Sequence, residues 1–255
     1  YKGNFIGFFI SGDDFMKRIL FIILLSISII ILSAEDVFAK GGGGGGHSIT
    51  GGLTTISSDQ KDLNSIIDNV NSSQGGVSTK SLTSAYDFFI QYQYRFSGSI
   101  FALVFRPSYF TQSGKGSGTT VGDYNHSLSG FTFFPLLRLY PLENSFIRFF
   151  MQAGVGFGYL KGEVKQGDAS LSYSGSNFGA QAGLGAEFCF TENHCMTLEG
   201  NVRYLPIERN IADSVSGTLT GFTQAQKSRE VEYDQNDMAT TMSGIQGVLG
   251  YTYHF

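Results

Sequence analysis

Tryptophan is absent from the 255 residues, and cysteine (2), proline (4) and histidine (4) are scarce. Two cysteines are too few for a multiply bridged secreted scaffold. No HExxH or CxxC spacing occurs, and His47, His126, His194 and His254 are scattered without ligand-like intervals. No metal site and no cofactor are therefore expected. Charged residues make up only 15%, the formal net charge is -4, and no basic stripe is visible, which argues against a nucleic-acid partner. With 42% apolar residues and 34 glycines against 4 prolines, the composition is also unlike that of a disordered chain.

One short apolar run stands near the front. Met16-Lys17-Arg18 precedes Ile19 to Leu32, nearly all Ile, Leu, Phe and Ser, and Val37-Phe38-Ala39 follows with a small residue at its end. A basic start, a short apolar core and a small-residue site are the parts of a secretory signal, here 16–39. A membrane anchor would need a longer run, of roughly 20 residues. Residues 1–15 read as upstream sequence before a start at Met16. Residues 40–46 include six consecutive glycines and read as a flexible leader.

From residue 47 onward the pattern has period two. Alternation bounded by turn residues predicts eight strands: 47–57, 84–96, 99–110, 124–140, 146–159, 175–190, 194–205 and 242–255. One face of these strands is greasy: Tyr86, Phe88 and Ile90 in the second, Phe105 and Tyr109 in the third, Phe131 and Phe133 in the fourth, Ile245, Leu249, Tyr251, Tyr253 and Phe255 in the last. The opposite face carries Gln91, Gln93, Arg95, Arg106, Arg138, Arg148, Gln152, Gln181, Glu187, Glu199, Asn201 and Arg203. A soluble sandwich or lipocalin-like barrel would need the aromatics inside and the charges outside. The last strand has the roughly 9 to 11 residues that a tilted strand needs to cross a bilayer. A strand in lipid must have every backbone group paired, so one such strand implies a closed barrel. The expected fold is all-β: an eight-stranded antiparallel up-and-down transmembrane barrel over 47–255. In the absence of Trp, the interface girdles fall to Tyr and Phe.

Short turns are expected at 97–99, 141–144 and 191–194, and long loops at 58–83, 111–123, 160–174 and 206–241. Long and short alternate, which puts every long loop at one rim and both termini at the other. Within loop 58–83, Leu63, Ile66, Ile67 and Val70 recur at helical spacing and suggest a short amphipathic helix over the mouth.

The strand that carries Phe133, Pro135, Leu137, Arg138 and Tyr140 before a tight turn, the strand Gln152-Ala-Gly-Val-Gly-Phe-Gly-Tyr159 and the terminal Tyr251-Thr-Tyr-His-Phe255 resemble the bacterial outer-membrane β-barrel domain family, the small eight-stranded barrels of the OmpA, OmpX and OmpW type. The resemblance implies residence in the bacterial outer membrane with both termini periplasmic and outer-membrane lipid around the barrel. It further implies that Tyr251, Tyr253 and Phe255 act as the signal read by the barrel-assembly machinery.

Arg95, Arg106, Arg138, Arg148, Glu187, Glu199 and Arg203 are the candidate lumen network. An eight-stranded lumen is just wide enough for side chains to fill, and charges there must be paired or wetted. The network is either a salt-bridged plug or the lining of a narrow conduit favouring small anions. Cys189 and Cys195 share parity across a tight turn, and either bond to each other or remain two thiols at the rim. His126 neighbours Ser127 and Ser129, but strand alternation puts it on the opposite face from both, which disfavours a lipid-modifying enzyme. Gly154, Gly156 and Gly158 alternate on a strand and make space in the lumen. The functional expectation is a non-enzymatic surface barrel whose loops 58–83 and 206–241 meet an extracellular ligand. The alternative is a narrow channel for small solutes or apolar molecules.

Overall fold

The computed structural model describes residues 46–72, 78–118, 122–219, 222, 225–233 and 236–255. The upstream segment, the signal and all but the last glycine of the leader lie outside these residues.

Eight long strands form the barrel: β1 His47–Ser57, β2 Ser84–Arg95, β3 Phe101–Gly118, β4 Gly122–Glu143, β5 Ile147–Gln166, β6 Ala169–Cys189, β7 His194–Tyr204 and β13 Gly244–His254. Each pairs antiparallel with its neighbours in chain order, and β1 closes the ring against β13, with Leu53 opposite Leu249. Between β7 and β13 run five short strands: β8 Pro206–Ile207, β9 Ile211–Ser216, β10 Glu232–Tyr233, β11 Asn236–Asp237 and β12 Thr240–Thr241. The single helix among the described residues, α1 Lys61–Ser72, joins β1 to β2.

Three of the four prolines sit where the ladder is interrupted. Pairing of β2 with β3 lapses beside Pro107, pairing of β4 with β5 lapses at Pro135, and the register shifts between Leu139 and Leu142, across Pro141. Each proline removes one N–H from the ladder.

Outward side chains form an apolar belt. Ile90, Val155, Leu184, Val202 and Ile245 are each 60–70% exposed, as no core residue of a soluble domain would be. Tyr92, Phe105 and Phe133 lie side by side across β2, β3 and β4, their ring centroids 6.5 and 6.4 Å apart. Outward tyrosines gather at the two edges of this belt: Tyr86, Tyr109, Tyr159 and Tyr204 toward the long connections, Tyr94, Tyr251 and Tyr253 toward the short turns. Aromatic rings at both edges of an apolar band are the mark of strands that meet two interfaces.

Two expected loops are corrected. Residues 111–123 and 160–174 are not long loops: β3 and β4 continue in register to Gly118 opposite Gly122, and β5 and β6 to Gln166 opposite Ala169. Gly167, at φ 55°, supplies the left-handed position that a two-residue hairpin turn needs. These extensions project beyond the belt, where the polarity of the barrel inverts. Inward positions become apolar (Phe110, Leu128, Leu160, Val164, Leu171, Tyr173), and Ser127, Ser129, Lys161 and Glu163 turn outward. β9 pairs with this upper part of β6 just where β7 has ended, from Ser170 to Ser174.

α1 closes this end. Leu63, Ile66, Ile67 and Val70 are fully buried and join a single cluster with Ile56, Leu82, Phe110, Leu205, Ile207 and Met242. Gln60, just before the helix, donates to Gln112 Oε1 at 2.9 Å and to the Thr241 carbonyl at 2.6 Å, and Asp62 Oδ2 accepts from the amide of Ala239 at 2.8 Å. The mouth is thus sealed by a small core of the soluble type.

Candidate functional site

Below that apolar seal the lumen is polar. Arg138 on β4 occupies its centre and is fully buried. Its Nη2 donates to Glu199 Oε1 at 2.9 Å, its Nη1 to Glu187 Oε1 at 3.2 Å and to Gln93 Oε1 at 3.0 Å. Arg106 on β3 donates to the same Glu199 oxygen at 2.6 Å and also to Gln91 on β2. Gln152 on β5 bridges Arg138 and Asn201 and donates to Glu199 Oε2 at 3.0 Å. Six strands, β2 to β7, therefore contribute to one continuous contact chain across the lumen. On the remaining side, Thr50, Thr252 and Thr197 link β1, β13 and β7 at 2.8 and 2.6 Å.

The flat guanidinium of Arg138 also lies 3.7 Å from the ring centroid of Phe150, and that of Arg106 lies 4.8 Å from the ring centroid of Phe89. Stacked, multiply hydrogen-bonded arginines of this kind are locked in position, and Lys could not replace them. Inward space for such long side chains is made by glycine. A Cβ on Gly156 would come within 2.5 Å of the Phe134 ring, and one on Gly154 would collide with the Pro135 carbonyl.

A second pair lies nearer the seal. Arg203 on β7 donates to Asp87 Oδ2 on β2 at 2.7 Å and to the Met242 carbonyl at 2.7 Å. Between the two groups is a small cavity lined by Asp87, Phe89, Arg106, Thr132, Gln181 and Arg203, among others. Asp87 Oδ1, Gln181 Nε2 and Arg203 Nη2 have no hydrogen-bond partner among the described residues. One unpartnered acceptor and two unpartnered donors on residues that line the cavity are the groups a bound water would satisfy.

Sequence reasoning named Arg95, Arg106, Arg138, Arg148, Glu187, Glu199 and Arg203. The structure gathers Arg106, Arg138, Glu187 and Glu199 into the central chain. It sets Arg203 apart with Asp87, a partner the sequence reading passed over although its strand parity matches Gln91 and Gln93. Arg95 belongs to the turn-side rim, where it makes a bidentate pair with Glu143 at 2.6 and 2.8 Å. That pairing holds the Glu143 carboxyl below its ordinary range. Arg148 is also at this rim, 3.2 Å from His254 Nε2 and 4.0 Å from Glu187 Oε2.

Cys189 and Cys195 are directly opposite in the β6–β7 register and are joined by a disulfide. Glu187, Cys189, Cys195 and His254 all point into the turn-side end of the lumen, with one donor atom from each lying within 4.8 Å of the others. His254 lies 59 residues beyond Cys195, so no local spacing announced this grouping. Tyr251, Tyr253 and Phe255 sit at the same rim: the Phe255 ring stacks on His47 at 6.1 Å, and the His194 ring packs on Tyr253 at 5.1 Å.

His126 lies five residues before Phe131, past the apolar belt, and is wholly buried within the seal. Its Nε2 lies 2.9 Å from the Tyr173 hydroxyl, and its Nδ1 is 3.4 Å from that of Tyr124. Burial among apolar groups lowers its pKa to about 3, so it stays neutral at ordinary pH. Ser127 and Ser129 point away on the opposite face, and no nucleophile–base pair forms there.

No protein-family model matches the chain, and no curated protein matches it. Among solved structures, the fold is similar to the outer membrane protein OprG from Pseudomonas aeruginosa, with a TM-score of 0.54, 17% identity, and 84% of this chain covering 98% of that one. It is likewise similar to a major outer membrane protein from Thermus thermophilus, with a TM-score of 0.53, 12% identity, and 83% of this chain covering 99% of that one. The architecture is that of the small outer-membrane β-barrels.

Proposed function

We propose that this chain is an integral protein of a bacterial outer membrane that acts as a closed scaffold rather than a pore or an enzyme. The observation that carries the reading is the continuous Arg106–Glu199–Arg138–Glu187 contact chain, stacked beneath an apolar seal. A conduit favouring anions would need an excess of positive charge. The three buried arginines, Arg106, Arg138 and Arg203, are instead matched by Asp87, Glu187 and Glu199. The apolar belt and its aromatic edges support placement in lipid, with the turn-side rim in the periplasm and the α1 seal outside. In this reading Tyr251, Tyr253 and Phe255 present the strand recognised by the barrel-assembly machinery. The connections 58–83 and 206–241, held on a rigid barrel, are where an external ligand would be met.

Planar-bilayer recording of the folded chain, combined with heat-modifiable gel migration and protease treatment of intact cells, tests this reading. A compact heat-modifiable band, cleavage confined to 58–83 and 206–241, and no single-channel steps are expected. Regular conductance steps from the unmodified protein would overturn the closed scaffold, and absence of a heat-modifiable form would overturn the barrel's stable insertion.

A further inference from the structure

The turn-side floor of the lumen brings together two sulfurs, an imidazole and a carboxylate from three strands: Cys189 and Glu187 on β6, Cys195 on β7 and His254 on β13. Two thiolates, one imidazole and one carboxylate are a donor set that suits zinc in tetrahedral geometry. We propose that this floor is a redox-gated zinc site, closed to metal while Cys189 and Cys195 are bonded and opened when a dithiol reductant cleaves the bond.

The dithiol passes two electrons and two protons to the disulfide, giving two cysteine thiols and the reductant's own cyclic disulfide. Zinc then displaces the two thiol protons and takes both thiolates, one oxygen of Glu187 and a ring nitrogen of His254.

Three observations favour the site. The four donor atoms already lie within 4.8 Å of one another, close to the edge of about 3.5 Å in a tetrahedral zinc site. Glu187 is 1% exposed, and the nearest groups to its Oε2 are the ring nitrogen of His254 at 3.2 Å and the Arg148 guanidinium at 4.0 Å. Charge also closes: Zn²⁺ with two thiolates is neutral, so the Glu187 carboxylate stays matched by Arg138 as it is now. Arg148 Nη1 lies 3.2 Å from the His254 nitrogen and 4.0 Å from Glu187 Oε2, at the partly exposed edge of the site. Metal binding would replace the covalent β6–β7 link by one that also ties in β13. The proposal rests on the lumen floor alone and is independent of which membrane holds the barrel.

The test uses the full chain folded in detergent. One sample is kept oxidised. The other is folded with dithiol, freed of it without air, and its thiols are counted by alkylation. Cobalt(II) is then titrated into both as the probe. The expected result is one equivalent bound to the reduced protein with visible ligand-field bands and a near-ultraviolet sulfur-to-cobalt band, all removed by zinc, and no binding to the oxidised protein. Cys189→Ser, checked for heat-modifiable migration, should weaken the sulfur band, and His254→Gln should weaken binding by at least about tenfold, the low end of what changes around a metal ligand cost. The proposal is overturned if the folded, reduced protein binds no stoichiometric cobalt, if the oxidised protein binds equally, if His254→Gln leaves affinity unchanged, or if the cysteines cannot be reduced in the folded barrel.

Discussion

Arg203 and Asp87, 116 residues apart in sequence, meet at 2.7 Å inside the barrel, where both side chains are at most 3% exposed. Burying two charges costs several kcal/mol each, and their attraction repays it only while both remain. Asp87→Asn leaves Arg203 with its charge and without its carboxylate. The expected loss is about 3–5 kcal/mol, read as a lower urea midpoint of the detergent-folded barrel. The double variant Asp87→Leu with Arg203→Met removes both charges and should recover most of that loss.

The central chain makes a different prediction, because it blocks as well as binds. Arg138 touches Glu199, Glu187, Gln93 and Gln152, so truncating it opens the middle of the plug. Arg138→Ala combined with Glu199→Ala removes charge of both signs and keeps the lumen neutral. Conductance should still be absent, because α1 and its apolar cluster close the mouth. Adding deletion of 61–72 should bring single-channel steps. Steps from the double variant alone would mean that the seal above is leaky.

The barrel was legible in the sequence because lipid and lumen impose opposite polarity on alternate residues. Phe105 and Arg106, or Leu198 and Glu199, announce their faces by contrast with each other. Beyond the belt the contrast changes phase. Leu128 and Val164 point inward like Arg138 and Gln152, while Ser127 and Glu163 point to solvent, so the same strands read as polar loops. Helix α1 was readable because Leu63, Ile66, Ile67 and Val70 keep helical spacing. The Arg203–Asp87 pair and the Glu187–His254 contact were not, because both depend on how tilted strands bring distant positions to one level. Inward parity alone gives the face but not the height.

The seal should respond to its own residues independently of the lumen charges. Leu63 and Ile67 are fully buried against β-strand extensions. Replacing either with Ala removes buried methyl groups and leaves a cavity, at a cost of about 2–5 kcal/mol. The loss falls on docking of the helix rather than on closure of the barrel. Proteolysis within 58–83 should accelerate, while heat-modifiable migration of the remaining barrel stays unchanged. Loss of the compact band as well would show that seal and barrel fold as one unit.

His126 gives the seal a pH dependence whose sign follows from its burial. Its folded pKa is lowered to about 3 from an ordinary value of 6.5, because the buried ring cannot hold a charge cheaply. Above pH 6.5 the folded and unfolded forms are both neutral there, and the residue adds no pH term. As pH falls from 6.5 toward 3, the unfolded ring takes a proton that the folded one refuses, so stability declines across that window. Below the lower value both forms are charged and the decline stops. Carboxylates also respond to acid, so the decisive measurement is a difference: unfolding midpoints at about pH 7.5 and pH 4.5 for the natural chain and for His126→Gln, which lacks the titrating ring. The natural chain should lose more stability between the two conditions than the variant. Equal losses would mean that the Tyr124–His126–Tyr173 group opens to water before the ring is protonated.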